Sequence, residues 1–593
     1  MYSKKPLLMA LLAAGILAYP AVKKDAGGKG PVRTEKNLPA WGLSTEGSGI
    51  FRDGISTNEG GSLVLDKRTR VYNYMWLPDL SNGVVSKFDV NTGEELARYH
   101  SVSPVFCKAG QTPEQKNCVQ HSHVNVKLNY RPNRTAVDLD GNVWVANDGY
   151  GAGGRLSSVT KIAAELKDCV DRNGNGRIDT SHLGAGGHIV MVEQDECVLL
   201  TTPVCGGSLG ANALAISKGK EGSAGDVWVG CYDEQAVYQL DSRNGQIKRG
   251  PIALGMSPSG AIVDGKQTLW LTNIGADVNL QGIDTRTGET LNKDAGGQPL
   301  PLRPDIQGCG AGFGLSVDSQ NRVWVASSAQ NQGVACFYNH YAPQAAGKWR
   351  QCQLNAGGAR NSLGIAVDAD DNVYMPTSGQ LLRFRWNEEA KAGERAGKCE
   401  FHPLRGKEEA VDLQIGPSTG VGFDKEGNPW SIGFHQAARV NLKTGKNDYT
   451  KHAAGSSKPA ASGASTVFHA FSDFTGYQLK NFTAPRGVYK RTIQGCERYS
   501  SPKSVSWQAT APKDAKLQVY LKVANTENEW SSAHRYGPFE TSPVDLSKIG
   551  APQGSLMQLE FVLLPAEDKK SAPVVHGYEM KWACERPSGA SVT

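Results

Sequence analysis

A repeated pattern of apolar and polar positions runs along most of the chain. An apolar pair is followed by an aspartate and, six residues after the aspartate, by an aromatic side chain. Gly, Asn and Asp fill most of the intervals, so each copy predicts two strands joined by a tight turn. A seventh copy, ending at Trp228, has an enlarged turn. The six regular copies are Asp66 to Tyr72, Asp138 to Trp144, Asp264 to Trp270, Asp318 to Trp324, Asp368 to Tyr374 and Asp424 to Trp430.

The second strand of each copy is apolar at successive positions, as in Val143, Trp144 and Val145. Such strands are buried on both faces, which is expected where sheets stack around an axis. A further strand pair in each unit is indicated by turns of the form D/N-x-x-T/N-G, such as Asp241 to Gly245. Four strands per unit predict an all-β fold, a seven-bladed β-propeller, with six or eight blades as alternatives. The tryptophans and aspartates are interpreted as packing and turn residues.

The periodicity changes after the propeller pattern ends. Alternating apolar and polar positions between Ser504 and Cys584 predict at least four strands of an antiparallel β-sandwich, of jelly-roll or immunoglobulin type. The expected domains are a propeller over 37–466, with an insertion at about 148–210, and a sandwich over 467–593. The first strand of the last segment, within 471–485, is an alternative closing strand for the propeller.

The leader and the cysteines predict a secreted, periplasmic or cell-surface protein. Residues 1–21 combine Lys4 and Lys5 with a short apolar run and small residues, as in an export signal. The chain has 12 cysteines and no C-x-x-C motif, which favours disulfides over a cysteine metal site. Spacing suggests the pairs Cys107 with Cys118, Cys496 with Cys584, Cys309 with Cys336 and Cys352 with Cys399, and leaves the other four cysteines unassigned.

Charge and hydropathy exclude two classes of partner. The net charge of +6 is spread over the chain without a basic tract, so we expect no nucleic-acid partner. No stretch after the leader is long and apolar enough for a transmembrane helix. The expected partner is an unknown protein or glycan.

The repeat strings RTAVDLDGNVWVAN, GFGLSVDSQNRVWVAS and NSLGIAVDADDNVYMP resemble those of the NHL and streptogramin (virginiamycin B) lyase-like propeller superfamily. The resemblance covers about residues 60–450 and implies a propeller fold. It also implies, as one possible activity, a lyase with a divalent metal and a histidine and glutamate set near the axis. The matching blades contain His340 and His435 without spaced His and Glu partners. We therefore expect a bacterial binding protein with no assigned catalytic residue; a metal-dependent lyase or lactonase-type enzyme is the alternative.

The insertion contains DCVDRNGNGRIDTSH, which matches the first nine positions of an EF-hand-type calcium loop. Oxygen-bearing side chains alternate along it, and Gly176 falls where the loop must turn sharply. His182 replaces the usual glutamate at position 12, so the missing ligand is expected from Glu193, Asp195 or water. This predicts a structural Ca²⁺ site without flanking helices, as in thrombospondin type 3 repeats. Its predicted ligands are Asp171, Asn173, Asn175, the main-chain carbonyl of Arg177, and Asp179.

Two weaker candidates remain. His121 and His123 form an H-x-H pair that on a strand would share one face, as metal ligands do, although two loop residues are the favoured interpretation. Trp530 and Tyr536 of the sandwich are candidates for stacking on a sugar, but burial in the core is the favoured interpretation.

Overall fold

The computed structural model describes the larger part of the chain. The leader at 1–21, Cys107, Cys118, Cys496, His121 and His123 lie outside the described residues. No helix within those residues is long and apolar enough to cross a membrane. The described ranges are 32–37, 50–66, 72–80, 83–102, 105–106, 119–120, 131–148, 157–182, 189–190, 192–206, 209–220, 223–274, 280–293, 297, 299, 309, 312–327, 334–341, 348–353, 363–387, 398–451, 467–495, 501–512, 514–526, 529–530, 533–566 and 571–584.

The chain divides into two compact units. One is Asp66–Arg486, and the other combines Met1–Leu65 with Gly487–Thr593. These boundaries differ from the expected division at 37 and 467. The boundaries depend on pairing between strands that are far apart in sequence. Local periodicity does not predict such pairing.

Four short strands precede Asp66: β1 (Val32–Asn37), β2 (Ile50–Asp53), β3 (Ile55–Thr57) and β4 (Leu63–Leu65). Strand β4 pairs with β3, and its Leu63 lies opposite Val575 near the C-terminus. The strand before Asp66 therefore belongs to the sandwich unit. The interpretation of Asp66 to Tyr72 as a propeller hairpin is wrong for its first strand. The alternative, that another part of the chain closes the propeller, agrees with the bridge between Phe468 and Asp79.

The unit Asp66–Arg486 consists of successive antiparallel sheets. The long strand β29 pairs through its first half with β27 and through its second half with β30, so two groups of strands form one continuous sheet. The fold is all-β as expected, and the blade number stays a prediction. In chain order the strands are β5 (Tyr74–Asp79), β6 (Val84–Asp89), β7 (Glu95–His100), β8 (Val105–Phe106), β9 (Val119–Gln120), β10 (Arg131–Val137), β11 (Val143–Asp148), β12 (Ser158–Ile162), β13 (Val198–Pro203), β14 (Ala211–Ser217), β15 (Asp226–Cys231), β16 (Ala236–Asp241), β17 (Ile247–Ala253), β18 (Gly260–Val263), β19 (Thr268–Thr272), β20 (Leu280–Asp284), β21 (Gly312–Val317), β22 (Val323–Ser327), β23 (Val334–Asn339), β24 (Lys348–Gln353), β25 (Ala366–Val367), β26 (Val373–Pro376), β27 (Ser378–Asn387), β28 (Lys398–Phe401), β29 (Ala410–Phe423), β30 (Pro429–Gly433), β31 (Ala437–Val440) and β32 (Asn447–Tyr449).

The sheets form a closed ring. The first strands of consecutive sheets contact one another in the order β10, β14, β18, β21, β25 and β29. Residues 467–470 close the ring: Phe468 bridges to Asp79 on β5, and the Ala470 N–H donates to Thr419 Oγ1 on β29 at 3.2 Å. We call residues 467–470 the closing strand, although their one ladder contact is the bridge from Phe468. This segment lies just before the expected segment 471–485. That segment instead contains a single π-helical turn, Leu479–Thr483.

Each turn of the repeat is organised by its aspartate. In five copies Oδ1 accepts the backbone N–H groups two and four residues later. In four of them Oδ2 accepts the polar hydrogen of the aromatic six residues later, at 2.8 Å for Trp270 and for Trp324. Trp430 differs and donates to Val90 O at 2.7 Å. The fixed spacing thus reflects a turn and its packing, as predicted.

The sandwich unit has two antiparallel sheets. One has the order β3, β4, β39, β34 and β37 with β1 beside β39, and the other has the order β2, β33, β38, β35 and β36. Side chains from both sheets, such as Trp507 and Phe561, share one buried core. The sandwich is therefore confirmed. Its later strands are β33 (Gly487–Gln494), β34 (Ser501–Thr510), β35 (Lys516–Ala524), β36 (Tyr536–Phe539), β37 (Val544–Asp545), β38 (Leu556–Leu564) and β39 (Val574–Ala583).

Four disulfides join cysteines within the described part of the propeller unit. The predicted pairs Cys309–Cys336 and Cys352–Cys399 are confirmed. The remaining four cysteines form Cys169–Cys197 and Cys205–Cys231. Cys584 is disulfide-bonded. These bonds are typical of proteins that mature in an oxidising compartment.

Candidate functional site

The predicted calcium loop lies in the connection between β12 and β13, and it follows a 3₁₀ turn at Leu166–Asp168. Gly174 and Gly176 have φ angles of 71° and 81°, which favour glycine. The Asp171 carboxylate holds the curl: its Oδ1 accepts from Gly174 N at 2.7 Å, and its Oδ2 accepts from Gly176 N at 2.9 Å. The backbone therefore adopts the tight, exposed turn that the motif predicts.

Three predicted ligand side chains meet in this loop. The amide nitrogens of Asn173 and Asn175 lie 2.8 and 2.7 Å from Asp179 Oδ2. These hydrogen bonds lower the pKa of Asp179. The amide oxygens of Asn173 and Asn175, atoms of the kind that Ca²⁺ prefers, accept the backbone N–H groups of Asn175 and Arg177, each at 3.0 Å. The oxygen donors present, two carboxylates and two amides with a neighbouring main-chain carbonyl at Arg177, fit a hard cation.

A carboxylate that the sequence reasoning missed anchors the loop. Buried Glu196 accepts from the N–H groups of Arg172 at 2.8 Å and Asn173 at 3.2 Å through Oε1, and from Asp179 N at 2.8 Å through Oε2. Both ends of the loop are thus fixed to one side chain. The signal was indirect: Glu196 precedes Cys197, whose disulfide to Cys169 returns it to the start of the loop.

The side chains expected to supply the missing ligand are placed differently. Asp195 is fully buried and accepts from Thr180 Oγ1, from Ser181 N and Oγ, and from Cys197 N, which commits both its oxygens. Glu193 and His182 are exposed. Asp195 therefore braces the segment that follows the loop.

The remaining residues that the sequence singled out as candidates are described by their packing and exposure. His340 packs edge-on against Trp270, with ring centroids 5.1 Å apart, and His435 is exposed. Tyr536 is half-buried against the sandwich core, as the favoured interpretation holds. Trp530 is half-buried, and its carbonyl accepts from Lys522 Nζ at 2.8 Å.

The two ends of the propeller ring differ. At the end that carries the aspartate turns, here called the turn end, the axis is filled by residues 473–486. Thr483 Oγ1 donates to Val263 O, Gln478 Nε2 donates to Val367 O at 3.1 Å, and Arg486 Nη2 donates to Leu139 O at 2.7 Å. The acceptors lie on or just after the first strands of three different sheets. The chain itself therefore plugs the turn end.

At the other end, where the first strands begin, polar and aromatic side chains from several strands converge. We call this set the axial cluster, and the side chains within it are partly to fully buried. Asn133 Nδ2 donates to Asn212 Oδ1 across β10 and β14 at 2.5 Å. The Phe313 and Phe471 rings stack with centroids 5.3 Å apart. The cluster consists of Asn133, Arg134, Asn212, Ser259, Phe313, His469 and Phe471.

Arg134 lies at the centre of the axial cluster and is 2% exposed. Its Nη1 donates to Asn133 Oδ1 at 2.6 Å and contacts His469 Nδ1 at 3.0 Å, and its Nη2 donates to Ser259 O at 3.0 Å. Its guanidinium carbon lies 4.7 Å from the centroid of the Phe471 ring. One side chain therefore ties β10 to the start of β18 and to the closing strand.

The charge of Arg134 has no ionic partner among the described residues. Burial lowers its pKa to about 9, so the group stays protonated at neutral pH. Asp148 exerts a weaker opposing influence, but its carboxylate is hydrogen-bonded to Arg131 at 3.3 Å. Burial and the charge of Arg134 lower the pKa of His469 well below its ordinary value, which keeps the imidazole neutral. The axial cluster is thus a positively charged and otherwise uncharged site.

Comparison with known proteins yields structural similarity alone. No protein-family model matches the chain, and no curated protein matches it in sequence. Solved structures similar to it include Kuenenia stuttgartiensis hydrazine synthase, with 16% identity, 55% of this chain and 80% of that chain covered, and a TM-score of 0.35. Virginiamycin B lyase from Staphylococcus aureus has 11% identity, coverage of 68% and 96%, and a TM-score of 0.32. A streptogramin B lyase has 12% identity, coverage of 63% and 93%, and a TM-score of 0.30.

Streptogramin lyases are thus among the structures with detectable similarity. At these TM-scores no activity is inferred from them. What the described residues define is a β-propeller joined to a β-sandwich.

Proposed function

We propose that this protein is a secreted or cell-surface binding protein whose propeller presents one end to a ligand and is braced by a structural calcium loop. The observation that carries the proposal is the contrast between the two ends of the ring. The turn end is plugged by 473–486, whereas the other end gathers polar and aromatic side chains from several strands around Arg134. A rigid ring with convergent polar groups at one end is a common form of binding site.

The side chains of the axial cluster weigh against the alternative, a metal-dependent lyase or lactonase. Such an enzyme needs an axial site lined by metal-binding side chains from several blades. The described part of the axial cluster offers one histidine, His469, and its Nδ1 already faces Arg134. Amides, a guanidinium and aromatic rings suit recognition of a ligand better than they suit metal binding.

Two measurements on the full chain distinguish ligand binding from catalytic turnover. We expect saturable binding to one or more members of a panel of surface glycans and no ring opening of streptogramin B or homoserine lactones with added Mg²⁺. The substrates are followed by mass spectrometry beside an EDTA-treated sample. Metal-dependent ring opening would overturn the proposal in favour of the lyase alternative.

The calcium loop supplies the second part of the proposal. Its carboxylate, amide and carbonyl oxygens are the ligands that Ca²⁺ takes, and bound Ca²⁺ would hold Asp179 and the two asparagines together. Two of the side chains are neutral, so we expect weak affinity, roughly 10⁻⁴ to 10⁻³ M, as in extracellular modules. That range is the one found in extracellular modules, and the disulfides favour an oxidising compartment of that kind.

Calorimetric titration tests the loop directly. At about 10 mM Ca²⁺ the bound form should gain roughly 1.4 to 2.7 kcal/mol over the free form, given that affinity. Asp171→Ala should abolish the binding heat. Asp241→Ala is the matched control, because Asp241 also accepts a backbone N–H two residues later, from Arg243 at 2.9 Å, but lies outside the loop. Equal heats in the two variants would overturn the assignment.

A further inference from the structure

Arg134 carries a positive charge into the propeller axis, and no carboxylate of the described residues is paired with it. A buried charge that is unpaired is costly, by several kcal/mol in typical cases. Two other buried basic side chains of this ring are paired with carboxylates: Arg322 with Asp318, and Lys161 with Asp138 at 3.2 Å. Arg134 alone of these three has only neutral acceptors, so its surroundings lack a negative charge that a ligand could supply.

The hydrogen bonds of Arg134 leave one edge of the guanidinium only partly paired. Three acceptors surround Nη1 and one lies at Nη2, whereas the buried Nε has no hydrogen-bond partner among the described residues. Nε and Nη2 together form one of the two edges through which arginine binds a carboxylate with two parallel hydrogen bonds. The buried, unused donor therefore lies on an edge suited to a carboxylate.

The neighbours of Arg134 narrow the kind of molecule that would fit. Phe313 and His469 are half-buried at the end of the ring where the first strands begin, and the His469 ring lies 4.1 Å from the Phe471 ring. His469 is neutral and the asparagines are uncharged, so Arg134 is the one charged member of the axial cluster. Aromatic side chains beside a single charged donor favour an anion with an apolar body.

We propose that the axial cluster binds a small organic carboxylate with an apolar or aromatic body, held by the Nε and Nη2 edge of Arg134. The proposal rests on the proposed function, because it names the ligand class of the same end of the ring. The carboxylate would neutralise the buried guanidinium, and its body would lie against Phe313 and His469.

Benzoate is the probe, titrated calorimetrically into the full chain at constant ionic strength, with acetate and chloride as comparison anions. We expect one saturable benzoate site per chain, weaker binding of acetate and no saturable binding of chloride. Arg134→Lys keeps the charge but loses the paired hydrogen bonds, and should weaken binding about tenfold or more. Arg131→Lys is the matched control on the same strand and should leave the affinity unchanged.

A crystal soaked with 4-iodobenzoate locates the site even if the Arg134 variant does not fold. We expect the iodine signal near Phe313 and the carboxylate at Arg134. The proposal is overturned by the absence of saturable binding up to roughly 10 mM, which corresponds to an interaction weaker than about 3 kcal/mol. It is also overturned by an equal response to chloride or by iodine bound elsewhere. The turnover and calcium assays test the proposed function separately, so either can fail alone.

Discussion

The aspartates of the repeat have the same backbone role but different ionic surroundings. Asp318 is paired with buried Arg322 at 2.5 Å. Asp264 accepts from Trp270 and from the Tyr341 hydroxyl at 2.7 Å, without an ion pair among the described residues. Burial accordingly raises the pKa of Asp264. Residues that look equivalent in sequence should therefore respond differently to the same substitution.

Replacement by asparagine distinguishes the two sites. Asp318→Asn leaves Arg322 buried without its charge partner and should cost about 3 to 5 kcal/mol in the free energy of unfolding. Asp264→Asn removes an unpaired buried charge and disturbs neutral hydrogen bonds, so we expect a smaller cost of about 1 to 3 kcal/mol. Urea denaturation of each variant measures the difference. Equal costs would contradict the argument.

At the scale of single residues, the sequence predicted interactions between residues that are close together in the chain. The aspartate-to-aromatic spacing predicted the turns because the backbone N–H groups that shape each turn, and in four copies the aromatic side chain, lie within six residues of the aspartate. Arg134 was missed as a site, since its partners Ser259 and His469 lie 125 and 335 residues away. Its one sequence signal is a charged residue within a strand that is otherwise buried.

Among the elements, the insertion between β12 and β13 has little regular secondary structure, and a few specific contacts hold it in place. The Cys169–Cys197 disulfide closes its base, and Glu196 fixes the two ends of the calcium loop. Because the loop side chains themselves are exposed, order in this segment depends on these few contacts.

Glu196→Gln should loosen the loop selectively. The substitution places an amide N–H₂ group against backbone N–H donors, which should cost about 1 to 3 kcal/mol locally. We expect hydrogen exchange of 171–179 to quicken about tenfold or more, and calcium affinity to fall. The matched change Glu193→Gln alters an exposed carboxylate of the same segment and should leave the hydrogen exchange of 171–179 unchanged. Unchanged exchange in Glu196→Gln would show that the anchor is dispensable.

Elements that depend on distant partners were predicted least well. The strand Leu63–Leu65 has the apolar pattern of a propeller strand, yet it pairs in the sandwich unit, while Phe468 supplies the first strand beside Asp79. Both segments are short and apolar, so periodicity does not distinguish their destinations. Four long sandwich strands, β34, β35, β38 and β39, were predicted correctly because each alternates over many residues, as in β38. The strand β33 and the short strands of the sandwich were not predicted.

For the propeller as a whole, the contact between Arg134 and His469 links closure of the ring to the charge of the axial cluster. His469 on the closing strand receives Arg134 Nη1 through Nδ1, which requires a neutral imidazole protonated on Nε2. Arg131 adds a second positive charge nearby, and the Asn133 carbonyl lies 3.3 Å from Nδ1 as an alternative partner. Protonation of His469 would set two cations against each other where the ring closes.

Acid should therefore destabilise the propeller through this residue. The pKa of His469 is lower in the folded chain than in the unfolded chain, because burial and Arg134 disfavour its charged form. The unfolded state then binds more protons as the pH falls below about 6.5, and stability is lost over that window. We expect the melting temperature to fall between pH 7 and pH 5, and to fall less in His469→Gln, which keeps an acceptor for Arg134.

Burial also lowers the pKa of His100, so part of the acid sensitivity belongs to that residue. His100→Gln is consequently the matched control, and the two variants should reduce the pH dependence additively because they lie in different contacts. If His469→Gln melts with the same pH dependence as the unaltered chain, the imidazole is not neutral in the folded state. The contact with Arg134 would then be something other than the hydrogen bond described, and the positive character of the axial cluster would extend to His469.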